Sequence, residues 1–114
     1  MYEGYEMDES NPKRVFDGVW IPNVIWLNTE LNALDKIVFT EIRSLDDEIK
    51  GCWASNKYLA KFCQCSESNI TKTVRKLKEL GLVFETNFDG RHRVLRVAND
   101  YKLKKKEQKD PHKF

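Results

Sequence analysis

The chain has little of what chemistry on a bound substrate demands. His92 and His112 are its only histidines, and it has no HExxH pair, no phosphate-cradling glycine loop and no glycine-flanked serine nucleophile. A nucleophile pair of Cys63 with His92 would need a pocket that so small a core hardly offers. These absences argue against an enzyme. Cysteine is scarce as well: three in 114 residues, an odd number that agrees with a reducing compartment. Cys63 and Cys65 stand one residue apart with no second Cys/His pair to complete a zinc site, so they read as small buried residues near the helix turn. No apolar run is long enough to cross a membrane and no signal peptide precedes the fold, which points to the cytoplasm. No metal, cofactor or membrane partner is expected.

What is present suffices for one domain with a modest core, since 40% of the residues are hydrophobic and 11% aromatic. The formal net charge of +2 says little, but its distribution says more. Residues 1–14 carry −2, and residues 15–53, with seven acids and three bases, carry −4. Residues 54–100, with nine bases and five acids, carry +4, and so do residues 101–114, with six lysines and two acids. A polar separation of this kind is what a nucleic-acid face needs.

The basic half opens with a pair of helix signals. Ser55 is placed to cap a short helix over residues 56–62, and Ser66 to cap a longer one from Glu67 to about Leu80. The link Cys63-Gln64-Cys65 is too short to let them lie antiparallel, so they should cross steeply. In the second helix Ile70, Val74 and Leu77 recur at i, i+4, i+7 and predict one buried stripe. Ser68, Asn69, Lys72, Thr73 and Lys76 are then expected on the opposite face. Gly81 is a left-handed stop, and a strand begins at Leu82. A short helix bearing amide, hydroxyl and lysine groups, presented by a turn, suits the major groove of DNA. Capped amphipathic helices with a solvated lysine-rich face also occur in many helical proteins, so the spacing alone does not decide.

The remaining segments supply context. Residues 1–14 are polar and acidic with an Asn-Pro break and read as a flexible arm; Tyr2 and Tyr5 could dock on a partner. Residues 15–21 predict an extended piece ended by Pro22, and residues 23–27 a helical turn with Ile25 or Trp26 packed inward. Asn32 caps a helix, with Asp35 placed to return a bond to the cap. Leu34, Ile37, Val38, Ile42 and Leu45 form its core side, leaving Asp35, Lys36, Glu41 and Arg43 to solvent. Asp46-Asp47-Glu48 lacks the alternating ligands of a calcium loop and reads as an exposed helix end. Gly51-Cys52-Trp53 predicts a short strand. Residues 82–86 and 93–97 predict two more around an Asp89-Gly90 turn, with Val94 and Arg96 sharing one face and Leu95 and Val97 in the core.

Helix, small strand, helix-turn-helix, hairpin is the order of a winged helix: an α+β, mainly α fold with a three-helix core and a β-hairpin wing. Its expected core is Leu34, Ile37, Ile42, Leu59, Phe62, Ile70, Val74, Leu77 and Leu82. The domain should span residues 15–100, between the acidic arm and a lysine-rich tail over residues 101–114. That tail either adds phosphate contacts or serves as a solvated end. Arg91, His92 and Arg93 fall at or beside the wing tip, within reach of phosphate or a minor groove.

A resemblance adds to this. Gly18-Val19-Trp20-Ile21-Pro22, Ile25-Trp26-Leu27, Ser44-Leu45-Asp46 and the stretch Gly51-Cys52-Trp53-Ala54-Ser55-Asn56-Lys57-Tyr58-Leu59-Ala60 resemble the winged-helix domains of replication initiator and replisome-organiser proteins. Those domains occur in phages and plasmids of Gram-positive bacteria. Residues 66–72 and 77–83 are similar to their recognition helix and following strand, a pattern shared by many winged-helix repressors. The resemblance covers about residues 16–98. It implies binding to double-stranded DNA through Ser68, Asn69, Lys72 and the wing, in replication initiation or its control. Asn69 suits adenine, Lys72 guanine, and Ser68 and Thr73 either base edges or phosphate, while Lys57, Lys61, Lys76, Arg91, His92 and Arg93 would hold the backbone. A transcriptional regulator of the same fold, and a protein-interaction module using the acidic half, stay open as alternatives. A second copy of the chain and replication or transcription proteins are further candidate partners.

Overall fold

A computed structural model of the 114-residue chain describes residues 18–87 and 92–101. The expectations for the N-terminal arm, the hairpin tip with Arg91 and the lysine-rich tail lie outside the described residues.

Helix α1 (Asn23–Trp26) is a single turn behind Pro22. Of the two residues expected to point inward, Ile25 is fully buried and Trp26 is 57% exposed. Helix α2 (Ala33–Leu45) begins at a reciprocal capping box: the Asp35 N–H donates to Asn32 Oδ1 at 2.8 Å, and the Asn32 N–H donates to Asp35 Oδ2 at 2.9 Å. Helices α3 (Asn56–Cys63) and α4 (Glu67–Glu79) start at Ser55 and Ser66, whose hydroxyls accept from the Tyr58 and Asn69 N–H groups. Each such cap contributes about 1 kcal/mol.

Both α3 and α4 end on paired backward bonds. Cys65 N–H reaches Ala60 O and Gln64 N–H reaches Lys61 O; Leu82 N–H reaches Leu77 O and Gly81 N–H reaches Lys78 O. The pivot after α4 is Gly81 at φ 78, which has no Cβ to clash. After α3 it is Gln64 at φ 60, where a side chain in the left-handed region costs about 1–2 kcal/mol.

Strands β1 (Val83–Asn87) and β2 (Arg93–Val97) pair antiparallel, Val83 opposite Val97 and Asn87 opposite Arg93. The strand expected at Gly51-Cys52-Trp53 is one rung: Cys52 and Leu95 exchange two backbone bonds of 2.8 Å. Gly51, at φ +79, lies so close to the hairpin that a Cβ there would stand 2.6 Å from Val94 Cγ1 and Arg96 Cδ. This cover explains a difference from expectation: Val94 is buried along with Leu95 and Val97, so β2 is covered on both faces.

The core joins Ile25, Val38, Phe39 and Ile42 to Tyr58, Leu59, Ile70, Val74 and Leu77, closed by Leu82, Val83, Leu95 and Val97. Burying each of the larger side chains contributes about 1.5–3 kcal/mol. Leu34, Ile37 and Phe62 sit at its margin, half-buried. The result is a winged helix, mainly α, with the hairpin packed beside the three longer helices.

Helix α2 departs most from its sequence reading, because α3, α4 and β2 pack around it. Asp35 and Glu41, expected in solvent, are 2% and 3% exposed. Burial of a charge is tolerated only with a partner, and each has one. Asp35 Oδ2 lies 2.6 Å from Lys76 Nζ, and Glu41 Oε2 accepts the Tyr58 hydroxyl at 2.8 Å. Arg43 Nε donates to Tyr101 O, and Lys36 Nζ donates to Trp26 O at 2.6 Å while lying over the Trp26 ring. Nor is Asp46 part of an exposed helix end: its carboxylate accepts the Val97 N–H at 2.9 Å and pairs with Arg96. Among the described residues no helix is long and apolar enough to cross a membrane.

Candidate nucleic-acid interface

The polar side of α4 is organised by the stripe it does not show. Ile70, Thr73, Val74 and Leu77 are buried, at i, i+3, i+4 and i+7. Ser68, Asn69 and Lys72 face solvent, as the spacing predicts. Among the described residues their side chains meet no hydrogen-bonding or charged partner. Ser66 holds the Asn69 N–H and so fixes the first turn, where unpaired N–H groups and the helix dipole favour a negative ligand.

Thr73 corrects the sequence reading. It is 5% exposed, because it lies three residues from Ile70 and four from Leu77 and therefore belongs to the inner stripe despite its hydroxyl. Lys76 is a second correction. Its side chain is 39% exposed, but its ammonium is held 2.6 Å from the buried Asp35 carboxylate, so it ties α4 to α2. Arg93 is a third. It is half-buried, and its guanidinium donates to Asn56 Oδ1 at 2.6 Å and to Ala54 O at 2.7 Å. Burial pushes its pKa below the ordinary arginine value, with Cys52 and Glu85 acting in the opposite sense. These contacts point Arg93 into the protein.

The other expected residues stay at the surface. Lys57 and Lys61 are on the outer side of α3, and His92 is exposed at the start of β2 with its ring 5.6 Å from that of Trp53. Sequence reasoning missed Arg75. It is exposed and continues the row Ser68, Lys72, Arg75 at i, i+4, i+7, so the spacing that found the first two would have found it. Arg75 also lines a shallow cleft between α4 and the hairpin, together with Asn56, Thr71, Lys78, Glu85 and Arg93. Lys78 is neutralised there by Glu85 at 2.7 Å, which leaves Arg75 as the cleft's outward cation among the described residues.

Two of the thiols, Cys52 and Cys63, stay out of this surface. Cys52 is fully buried and Cys63 half-buried, and burial pushes each thiol up to about 12, so both stay protonated at neutral pH. The arrangement can therefore offer hydrogen-bond donors and acceptors from Ser68 and Asn69, flanked by positive charge from Lys72, Arg75, Lys57 and Lys61. That set suits an anionic polymer whose groove admits a helix.

Comparison with known proteins agrees with the architecture. Residues 29–83 match the family model of a helix-turn-helix domain. Among solved structures, the chain is similar to one described as the N-terminal domain of a DNA binding protein, with 19% identity over 90% of this chain and 89% of that one and a TM-score of 0.54. It is also similar to a mutant of Lactococcus lactis ZitR solved in complex with DNA, with 14% identity over 84% of this chain and 58% of that one and a TM-score of 0.49. At 19% identity the first likeness concerns the fold alone. No curated protein matches the chain. Residues 29–83 of this chain thus resemble a helix-turn-helix domain, carried on a winged-helix fold.

Proposed function

We propose that the chain binds double-stranded DNA, with α4 entering the major groove N-terminus first. The observation that carries this reading is the outer face of α4, where Ser68, Asn69, Lys72 and Arg75 are exposed together and uncommitted among the described residues. Asn69 pairs with adenine, and Ser68 reaches base edges or phosphate. Lys72 favours guanine, and Arg75, Lys57 and Lys61 hold the backbone with His92 and Arg91 of the wing. Thr73, Lys76 and Arg93 are left out of this contact set, because each is turned inward. The helix-turn-helix match and the DNA-binding structural neighbour at a TM-score of 0.54 support the reading.

The biological setting we propose is replication initiation or its control on a phage, plasmid or other mobile element, in the cytoplasm and without enzymatic activity. The resemblance of residues 16–98 to initiator and replisome-organiser domains supports it. Selection of bound fragments from a random duplex pool separates this from transcriptional regulation. Repeated sites mark an origin, and a single operator-like site marks a regulator.

One observation favours a second reading, a protein-interaction surface in the acidic half. Trp20, Val24, Trp26 and Leu27 are 57–70% exposed within eight residues of one another, although large apolar side chains in a cluster are uncommon on a free surface. Titration against duplex and single-stranded DNA at several salt concentrations, with mass measured in solution, decides between the two. DNA binding predicts duplex affinity that falls by about 0.9 log units per decade of salt for every phosphate contacted. Absence of salt-sensitive duplex affinity favours the protein-interaction reading, and the measured mass reports whether one copy or two is at work.

A further inference from the structure

Three structural elements meet at Asn56. Arg93, the first residue of β2, donates from Nη1 to Asn56 Oδ1 at 2.6 Å. Asn56, the first residue of α3, donates from Nδ2 to Thr71 Oγ1 at 3.1 Å. Thr71, in the second turn of α4, donates from its hydroxyl to Glu67 O at 3.0 Å. All three bonds run in the same donor-to-acceptor direction, so each polarises the next. The second Arg93 branch closes on Ala54 O at 2.7 Å, which leaves the planar guanidinium little freedom to swing. The path therefore leads from the hairpin, through the N-terminus of α3, to the first turns of the helix that carries Ser68, Asn69 and Lys72.

Among the described residues, Cys52 and Leu95 also tie β2 to the segment ahead of α3 by two backbone bonds. Lys78 with Glu85 joins α4 to β1, but both side chains are about 40% exposed and such a pair is worth little. Apolar packing of Leu82, Val83, Leu95 and Val97 holds the paired strands against the core, and the relay adds a side-chain tie at Arg93, which with Asn87 forms the outermost described pair. A contact surface made of a helix and a hairpin binds a duplex tightly only if the two are presented at the spacing the duplex requires. Ordering them on binding would otherwise cost affinity.

We propose that the Arg93–Asn56–Thr71 relay is a positioning device that sets the hairpin relative to α4, so that both meet one duplex in a fixed register. The inference rests on the DNA-binding reading given above. Arg93, Asn56 and Thr71 act here through other groups, by aiming the hairpin that carries His92 and the helix that carries Asn69.

The test uses the full chain and two readouts. In the first, residual dipolar couplings of the DNA-free protein report the orientation of β1 and β2 relative to α4. Asn56→Ala is expected to change the hairpin couplings while those within α2 and α4 hold. In the second, duplex affinity is measured against salt. Asn56→Ala and Arg93→Met are expected to bind about 10-fold more weakly, with a salt slope shallower by about 0.9 for each phosphate contact the hairpin loses. Arg93→Lys, which keeps one donor, should recover part of the slope. Ile42→Val serves as a control, because it loosens the core without touching the relay and should keep the wild-type slope. Should Arg93→Met fail to fold, Asn56→Ala carries the test alone, since its loss leaves the Arg93 bond to Ala54 intact. Unchanged dipolar couplings, or a wild-type salt slope in Asn56→Ala, overturn the proposal. A wild-type chain without salt-sensitive duplex affinity overturns the functional reading instead, and the couplings still judge the relay by themselves.

Discussion

Helices α2 and α4 each carry a row of polar side chains opposite an apolar stripe, and in sequence the two rows look alike. In the folded chain they have opposite fates. Along α2, Asp35 is bound by Lys76, Glu41 by Tyr58, Arg43 by the Tyr101 carbonyl and Lys36 by the Trp26 carbonyl. Along α4, Ser68, Asn69, Lys72 and Arg75 have no such side-chain partners among the described residues. Polar residues at helical spacing therefore do not define a surface. Those already partnered hold the protein together, whereas those left uncommitted are free to bind something else.

One substitution made at two places separates the two rows. Lys76→Met orphans the buried Asp35 carboxylate and should cost about 3 kcal/mol in urea unfolding, the low end for a broken buried pair because Lys76 is partly solvated. Lys72→Met, four residues earlier, should leave stability within about 0.5 kcal/mol. It should instead flatten the salt slope of duplex binding by about 0.9. Equal effects of the two on stability would erase the distinction between the rows. Next in size, Asn69→Ala should weaken the preferred duplex site by about 1–3 kcal/mol and leave random duplex nearly unaffected, as read by competition binding. Tyr58→Phe removes a buried donor to Glu41 and should cost about 1–2 kcal/mol of stability, with no change in duplex affinity at saturating folded protein.

The smallest effect sharpens a second contrast, between the ends of α3 and α4. Both close with the same pair of backward bonds, one on Gly81 and the other on Gln64. Gln64→Gly should relieve the left-handed side chain and raise stability by about 0.5–1 kcal/mol in thermal unfolding. Loss of stability would mean that the Gln64 side chain makes a contribution the turn geometry does not reveal.

Much of the fold could be read from local signals. Asn32, Ser55 and Ser66 cap the helices they were expected to cap, Gly81 ends α4, and β2 occupies residues 93–97 as expected. Each signal acts over a few residues, so the sequence contains it directly. The row Ser68, Asn69 and Lys72 was legible for the same reason. Partnerships over distance were not: Asp35 and Lys76 lie 41 residues apart, Arg93 and Asn56 37, and Arg43 and Tyr101 58. No periodicity announces such pairs, so Asp35 and Glu41 read as solvated and Arg93 and Lys76 as phosphate contacts. Thr73 was misplaced for a different reason, since its hydroxyl suggested the outer face while its position in the helical repeat put it inside. Val94 was hidden by Gly51, a neighbour that only the folded chain brings near.

The claim that the free row of α4 is the working surface is tested most directly by amide chemical shifts during titration with a selected duplex. The largest changes are expected over residues 67–72, accompanied by His92, and small ones from Lys36 to Arg43 in α2. Changes confined to the segment from Trp20 to Leu27, or none at all in α4, would contradict it.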